Sequence, residues 1–202
     1  SEIIAIWMVS TWQIFGKPKT FNIVELGPGD GSLTKVLLEV FKNFPEFNSA
    51  KKLFLYEESK FLQKILKKKI DKDAKWINNF NEIKKGPVIF FGNEFFDAIP
   101  VKQFKKVKES LFEKNYTLSK NFKIKKVFKK ASISNKKIIK SYKTLKKLKF
   151  IEFPKLGFDE LKKITKKISK LKGCILLIDY GYLRPNNQNT LQSVMNHKKN
   201  NI

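Results

Sequence analysis

The stretch Phe21-Asn22-Ile23-Val24-Glu25-Leu26-Gly27-Pro28-Gly29-Asp30-Gly31 decides how this chain is read. Six residues rich in apolar side chains form a run short enough for a buried strand. Alternate glycines then demand a tight turn, and Ser32 is placed to cap a helix with Leu33, Val36, Leu37, Val40 and Phe41 on its apolar face. The strand-turn-helix unit recurs. Leu53-Phe54-Leu55-Tyr56 is a second strand ending at Glu57-Glu58, and Ser59 opens a helix with Phe61, Leu62, Ile65 and Leu66 inward. Ala74–Ile77 is a short third strand, and Pro87-Val88-Ile89-Phe90-Phe91 is a fourth that runs into Gly92-Asn93-Glu94-Phe95-Phe96-Asp97-Ala98-Ile99-Pro100. A helix with Phe158, Leu161, Ile164, Ile168 and Leu171 on one face stops at Gly173, and Cys174–Ile178 is a fifth strand ending Asp179-Tyr180-Gly181. Strands alternating with helices predict a parallel sheet covered on both faces, with ligands bound beyond the C-terminal strand ends. Glu25–Gly31, Glu57, Asn93–Asp97 and Asp179–Tyr180 therefore share one rim.

Around this frame the sequence departs from the strand–helix rhythm twice. Residues 1–15 place Ile3, Ile4, Trp7, Met8, Thr11, Trp12 and Phe15 at helical spacing, so the chain opens inside an amphipathic helix and upstream sequence is expected. From 101 to 153, short apolar pieces alternate with lysines as in half-exposed hairpin strands, and 135–149 is too lysine-rich to assign. The expected organisation is a single incomplete domain over 1–202, with a cofactor-binding half (1–100), an insertion (101–153), and a fifth-strand region with its tail (154–202).

Composition excludes several chemistries. The lone Cys174 lies in an apolar run and reads as a buried structural thiol, which rules out an internal disulfide or a Cys-rich zinc site. The only histidine, His197, sits in a polar tail, against a Ser/His/Asp triad or a His-ligated metal. No apolar stretch approaches the roughly 20 residues of a membrane span, and the N-terminus lacks the basic lead of a signal peptide. The net charge of +25 is carried almost wholly by lysine, with Arg184 the one arginine. Residues 102–172 hold 25 lysines against five acids, or +20 of the total. A solvated surface from AT-rich coding bias and a functional basic surface both fit that run. Base recognition leans on arginine's fork, which argues against a nucleic-acid site.

The glycine turn has two main uses in this architecture. A dinucleotide fold takes Gly-x-Gly-x-x-Gly, but the third glycine of that spacing would stand at Ser32. Gly27-x-Gly29-x-Gly31 with Glu25 ahead matches the form that holds S-adenosylmethionine, where backbone along Gly27, Pro28, Gly29 and Gly31 approaches the amino-acid end and the acid meets its ammonium. Glu57, at the end of the second strand, suits the two ribose hydroxyls. Asn78 is placed for the adenine amino group and Phe80 for its ring; the competing readings are an ordinary strand-to-helix turn for the glycines and a surface glutamate for Glu57. Glu94 and Asp97, three residues apart, can hold and orient a methyl acceptor, although Asp97 can equally cap its turn and Glu94 brace the glycine loop. Asp179 and Tyr180 either border the acceptor channel or are structural. The Asn/Asp-Pro-Pro-Tyr/Phe block of base methyltransferases is absent, since Asn93-Glu94-Phe95-Phe96 lacks both prolines.

Glu25–Gly31, the Asn93–Val101 block and Ile178-Asp179-Tyr180-Gly181 together resemble the MidA-like methyltransferases, and Trp7, Trp76 and Thr190-Leu191-Gln192 fit the same pattern. The resemblance covers nearly the whole chain, weakly across the lysine-rich middle. It implies a Rossmann-like class I methyltransferase sheet with a lysine-rich hairpin insertion, truncated at both ends, and S-adenosyl-L-methionine as cofactor. The group includes a mitochondrial assembly factor of respiratory complex I that methylates a protein arginine. The resemblance thus implies a protein arginine as acceptor, with a complex I subunit as its protein substrate, and a matrix location for a eukaryotic protein or a cytoplasmic one for a bacterial protein. Three departures stand out: the family's N-terminal segment lies upstream of residue 1, members continue past Thr190-Leu191-Gln192 into the last strands where this sequence stops at Ile202, and Asn78 stands where many members carry Asp. The alternative from another class is a non-catalytic basic assembly protein that docks an acidic partner or RNA.

Overall fold

The computed structural model describes the chain except residues 71–73, 182, 184–188, 192, 196–197 and 201–202, and for 193–195 and 198–200 it describes the backbone alone. His197, Arg184 and Gln192 lie outside the residues so described. The chain divides into two compact units, Ser1–Ile99 with Phe158–Tyr180, and Pro100–Gly157 with Gly181–Ile202.

The first unit opens with α1 (Glu2–Ile14), which buries Ala5, Met8, Val9 and Trp12 and leaves Ile3 exposed. β1 (Phe21–Leu26) is buried at all six positions. That burial extends to two polar side chains, Asn22 and Glu25. Asn22 is satisfied because its amide donates to the carbonyls of Lys85, Gly86 and Pro87 at 2.8–3.1 Å, tying down the bottom of the sheet. α2 (Ser32–Phe41) follows the glycine turn, and α3 (Pro45–Ala50), with proline in its first turn, is a helix the sequence pattern did not reveal. β2 (Lys51–Tyr56), α4 (Lys60–Ile70), β3 (Ala74–Ile77) and β4 (Val88–Asn93) come next.

Two expectations fail in these helices. Ser32 does not cap α2; the cap position is Gly31, in the left-handed region at φ 79°, and Ser32 directs its N–H and hydroxyl to the Asp30 carboxylate. Phe61 is 72% exposed rather than inward, because α4 turns Leu66 and Ile70 to the interior and Phe61 falls off that stripe. Ser59 does behave as a cap, accepting from Leu62 N–H at 3.3 Å.

In the second unit, β5 (Lys102–Val107), β6 (Ser110–Leu118) and β7 (Ile124–Lys130) form the antiparallel meander anticipated for the insertion. The unassigned lysine-rich stretch contains α5 (Ile133–Ser141), capped by the Ser132 hydroxyl, and a short 3₁₀ turn. β8 (Phe150–Phe153) then pairs with β5 and completes the sheet order β7-β6-β5-β8. Glu152 fixes the Thr190–Leu191 segment by accepting from both backbone N–H groups and the Thr190 hydroxyl.

α6 (Lys155–Leu171) leads back to β9 (Gly173–Ile178), and β10 (Ser193–Met195) pairs antiparallel with β11 (Lys198–Asn200). The main sheet is wholly parallel in the order β3-β2-β1-β4-β9. α1, α2 and α3 cover one face over Ile23, Leu53, Leu55, Ile89 and Phe91. On the other face Ile164, Ile168 and Leu171 of α6 pack over Val24, Phe54, Val88 and Phe90. The architecture is the doubly covered α/β sheet expected. Cys174 is half-buried rather than fully enclosed, and burial raises its thiol pKa.

Candidate functional site

Register decides what meets at the rim. Leu26 pairs with Tyr56 on one side and Gly92 on the other, Tyr56 pairs with Ile77, and Asn93 pairs with Ile178. The next residues, Gly27, Glu57, Asn78, Glu94 and Asp179, therefore leave the sheet within about one residue of a common level. β1 and β4 are neighbours with the chain departing to opposite sides, which is the switch point where such sheets bind ligands.

Gly27, Gly29 and Gly31 all have positive φ, at 65°, 57° and 79°, but their surroundings differ. Among the described residues, its chain neighbours aside, a Cβ on Gly29 would meet nothing within 4 Å, so the turn presents bare backbone there. A Cβ on Gly31 would lie 2.4 Å from Leu66 Cδ2 and 2.7 Å from Ile70 Cδ1. Gly31 thus makes room for α4, a packing role the sequence did not suggest. On Gly27 the Cβ direction points at Phe95, at 3.1 Å. Pro28 supplies the carbonyl that accepts Gly31 N–H at 2.9 Å and closes the turn.

Glu25 is 2% exposed and its carboxylate accepts the Thr34 hydroxyl from the first turn of α2. Burial pushes its pKa up to about 7, partly opposed by that hydrogen bond. Thr34 is a partner the sequence reading missed; it is visible only once α2 is known to fold back over β1. Glu57 accepts Ser59 N–H at 2.8 Å through one carboxylate oxygen, and its carbonyl takes the Gln63 amide.

Asn78 is exposed, with its N–H held by Glu82 at 2.9 Å, while Phe80 is buried with its ring against Tyr56 and Phe90 at 4.8 and 5.0 Å. Both line a cleft of about 510 Å³ with Tyr56, Asn79, Asn81 and Glu160. Its other wall is a stripe on α6, Lys163, Lys166, Lys167 and Lys170. Those lysines recur at i, i+3, i+4 and i+7, a signal present in the sequence but hidden in the general lysine excess. Lys167 is buried, donates to the Ile83 carbonyl at 3.3 Å, and has its pKa lowered by burial and then by Lys170 and Lys84. Tyr56 has its pKa raised by burial, then by the charges of Glu160 and Glu58.

Glu94 is a non-glycine residue at φ 54°, with its N–H donating to Ile178 O at 2.8 Å. A bulky residue there carries backbone strain of about 1–3 kcal/mol. Tyr180 donates its hydroxyl to Asp97, and its pKa is pushed up to about 12, first by that bond, then by desolvation and the charges of Asp97, Glu94 and Asp179. Asp179 accepts Tyr180 N–H at 2.9 Å. The four residues expected to handle the acceptor therefore share one exposed acidic corner. Such a corner can orient a planar cation through paired hydrogen bonds.

Comparison with known proteins follows the same line. A family model for S-adenosyl-L-methionine-dependent methyltransferases matches residues 3–202. The mitochondrial protein arginine methyltransferase NDUFAF7 of Xenopus tropicalis is 24% identical over 90% of this chain and 48% of its own length. The human protein of that name is 28% identical over 54% of this chain and 30% of its own length. The chain thus spans about half, or less, of the length of the curated relatives it matches. A Burkholderia thailandensis crystal structure bound to S-adenosyl-homocysteine superposes with a TM-score of 0.74 at 15% identity, over 98% of this chain and 52% of its own. A second, uncharacterized Burkholderia thailandensis structure gives 0.77 at 14%, over 98% and 54%. At these identities the two structures speak to the fold.

Proposed function

The chain belongs to a family of S-adenosyl-L-methionine-dependent methyltransferases, the MidA-like group its motifs resemble, and we propose that its sheet rim holds this cofactor for methyl transfer to a protein arginine. One observation carries the reading: register brings the glycine turn, Glu57 and Asn78 level with the Glu94–Asp97–Asp179–Tyr180 corner on adjoining strands. The residues fit the cofactor, because the turn at Gly29 leaves open the side that a Cβ would fill. When bound, it supplies an electrophilic methyl group on a sulfonium.

The chain's own residues do the positioning. Backbone along Gly27, Pro28 and Gly29 lines the amino-acid end, with Gly31 holding the turn against α4. Glu25, near neutrality in its pKa, answers an ammonium directly or through water. Glu57 has one carboxylate oxygen on its own turn, and the other would hold the ribose hydroxyls, while Asn78 would bond the adenine amino group and Phe80 would pack on the adenine ring. Glu94 and Asp97 orient the guanidinium and favour a nitrogen lone pair, and the Tyr180 hydroxyl holds Asp97 in place.

The relatives named as protein arginine methyltransferases support arginine as acceptor, and their mitochondrial names support a matrix location for a eukaryotic protein, with the cytoplasm the counterpart in a bacterium. A complex I subunit as substrate rests on the family resemblance. A non-catalytic basic assembly protein has no use for acids at four strand ends, so that alternative is not favoured. Isothermal titration of S-adenosylmethionine into wild type and Glu57→Ala tests the reading, and heat that is absent in wild type or unchanged in the variant refutes it.

A further inference from the structure

The β6–β7 hairpin carries a feature that methyl transfer does not use. Residues 119–123 link the strands through a turn in which Phe122 N–H donates to Ser119 O at 2.9 Å and Ser119 N–H donates to Lys123 O at 2.8 Å. Phe122 has φ 56°, a position that glycine or asparagine fills more easily, and its ring is 83% exposed. Beside it Leu118 and Ile124, directly paired across the ladder, are 58% and 75% exposed. The alternation of the strands puts Tyr116 and Phe128 on the same face, also exposed. Lys114 lies 5.1 Å from the Tyr116 ring and Lys105 lies 5.9 Å from the Phe128 ring. Leu118, Ile124, Tyr116 and Phe128 thus share one face with Lys114 and Lys126, Phe122 stands exposed in the turn, and exposed Lys120, Lys123 and Lys125 lie beside it in sequence.

We propose that this hairpin tip docks on an anionic lipid surface, with Leu118, Phe122 and Ile124 entering the interface and the surrounding lysines meeting headgroup phosphates. Two physical arguments select this occupant. An apolar tip with a lysine collar matches the layering of a bilayer edge, apolar beneath and anionic above. A nucleic acid would use the lysines but gain nothing from Leu118 and Ile124, which cannot stack on bases. A second copy is disfavoured because β7 is an edge strand whose Lys125, Lys126, Lys129 and Lys130 repel another such edge. The surface is independent of the cofactor reading and stands or falls without it.

Flotation of the whole chain with phosphatidylcholine vesicles holding about 30% phosphatidylglycerol, or none, tests the proposal. The chain is expected to float with the anionic vesicles alone, and to retain part of its binding at about 0.5 M salt, where screening cuts charge attraction to roughly 4 Å. The triple substitution Leu118→Gln, Phe122→Gln, Ile124→Gln should lower the partition coefficient about a hundredfold, with unchanged circular dichroism because all three positions are exposed. Neutralising Lys120, Lys123, Lys125 and Lys126 to glutamine should abolish the preference for anionic lipid. Phe122→Trp should gain fluorescence quenching by brominated lipid over the wild-type background. No flotation, or a triple variant that floats like wild type, overturns the proposal. So does RNA binding in a mobility assay that the triple variant loses while its flotation is unchanged, which would assign the tip to nucleic acid.

Discussion

Gly29 and Gly31 lie two residues apart in one turn with similar backbone angles, and alanine at each should separate a ligand role from a packing role. Either substitution forces a Cβ into the left-handed region, at about 1–2 kcal/mol. At Gly29 that is the whole expected effect on folding, since among the described residues, its chain neighbours aside, no atom lies within 4 Å of the new carbon. At Gly31 the carbon falls 2.4 Å from Leu66 and 2.7 Å from Ile70, both side-chain ends on α4, which can yield only by moving the helix or leaving their rotamers. Overpacking of this kind adds about 1–3 kcal/mol, for a total near 2–5 kcal/mol. In a chain of this size about 1 kcal/mol moves the melting midpoint by roughly 2–4 °C. Gly31→Ala should therefore melt about 4–20 °C below wild type and Gly29→Ala about 2–8 °C below. Titration with S-adenosylmethionine should show the reverse order, with folded Gly29→Val losing binding outright. Equal melting points for the two alanine variants would refute the packing argument, and wild-type affinity in folded Gly29→Val would remove the cofactor site from this turn.

Glu25 should make stability fall as pH rises. Its folded pKa of about 7 exceeds the ordinary 4.5, so its contribution is fully present below pH 4.5 and lost through pH 7, an upper bound near 3 kcal/mol. Urea midpoints at pH 5 and 8 should differ more in wild type than in Glu25→Gln, and parallel behaviour would show that Glu25 ionises normally. Glu57→Ala should weaken S-adenosylmethionine binding by about 1–3 kcal/mol by titration, without a matching loss of stability. Asp97→Asn should leave cofactor affinity unchanged and lower methyl transfer to an arginine peptide by roughly ten- to a hundredfold; reduced cofactor affinity instead would move Asp97 to the other side of the site. Neutralising Lys125, Lys126, Lys129 and Lys130 should leave cofactor titration unaltered, because all four are exposed on β7 in the second unit.

The sequence made the main sheet legible because each parallel strand is a short apolar run closed by a turn or an acid. β1 falls on Phe21–Leu26 as expected, and β4 begins one residue after Pro87, where proline lacks a ladder donor. Lysine hid the rest. In α5 the apolar positions Ile133, Ile138 and Ile139 are diluted by Lys136, Lys137 and Lys140, so periodicity alone did not find a helix that Ser132 caps. β8 is four residues whose strand character comes from pairing with β5 nearly fifty positions away, and Phe61 shows that an apolar residue on a helix need not face inward. At the site, strand-end positions were readable from spacing. The Thr34–Glu25 and Tyr180–Asp97 bonds were not, because each needs the tertiary fold to bring its partners together.

Charge then acts on two scales. A guanidinium about 4 Å from a rim carboxylate gains about 4 kcal/mol at an effective dielectric near 20, enough to orient it against thermal motion. At low salt, where screening sets in only beyond about 30 Å at 0.01 M, an approaching basic peptide meets a chain whose net charge of +25 outweighs the few rim acids. Local acids and global lysines thus oppose each other for a cationic substrate. The usual steering relation is inverted: added salt relieves the long-range repulsion before it weakens the short-range pairing, so association should quicken as ionic strength first rises. On the proposed function, a peptide whose arginine sits among acidic residues is expected to escape the conflict, because its own flanks lower the charge that the net +25 repels. Comparing transfer to arginine peptides with acidic and with basic flanks across a salt series checks this, and equal rates at low salt refute it.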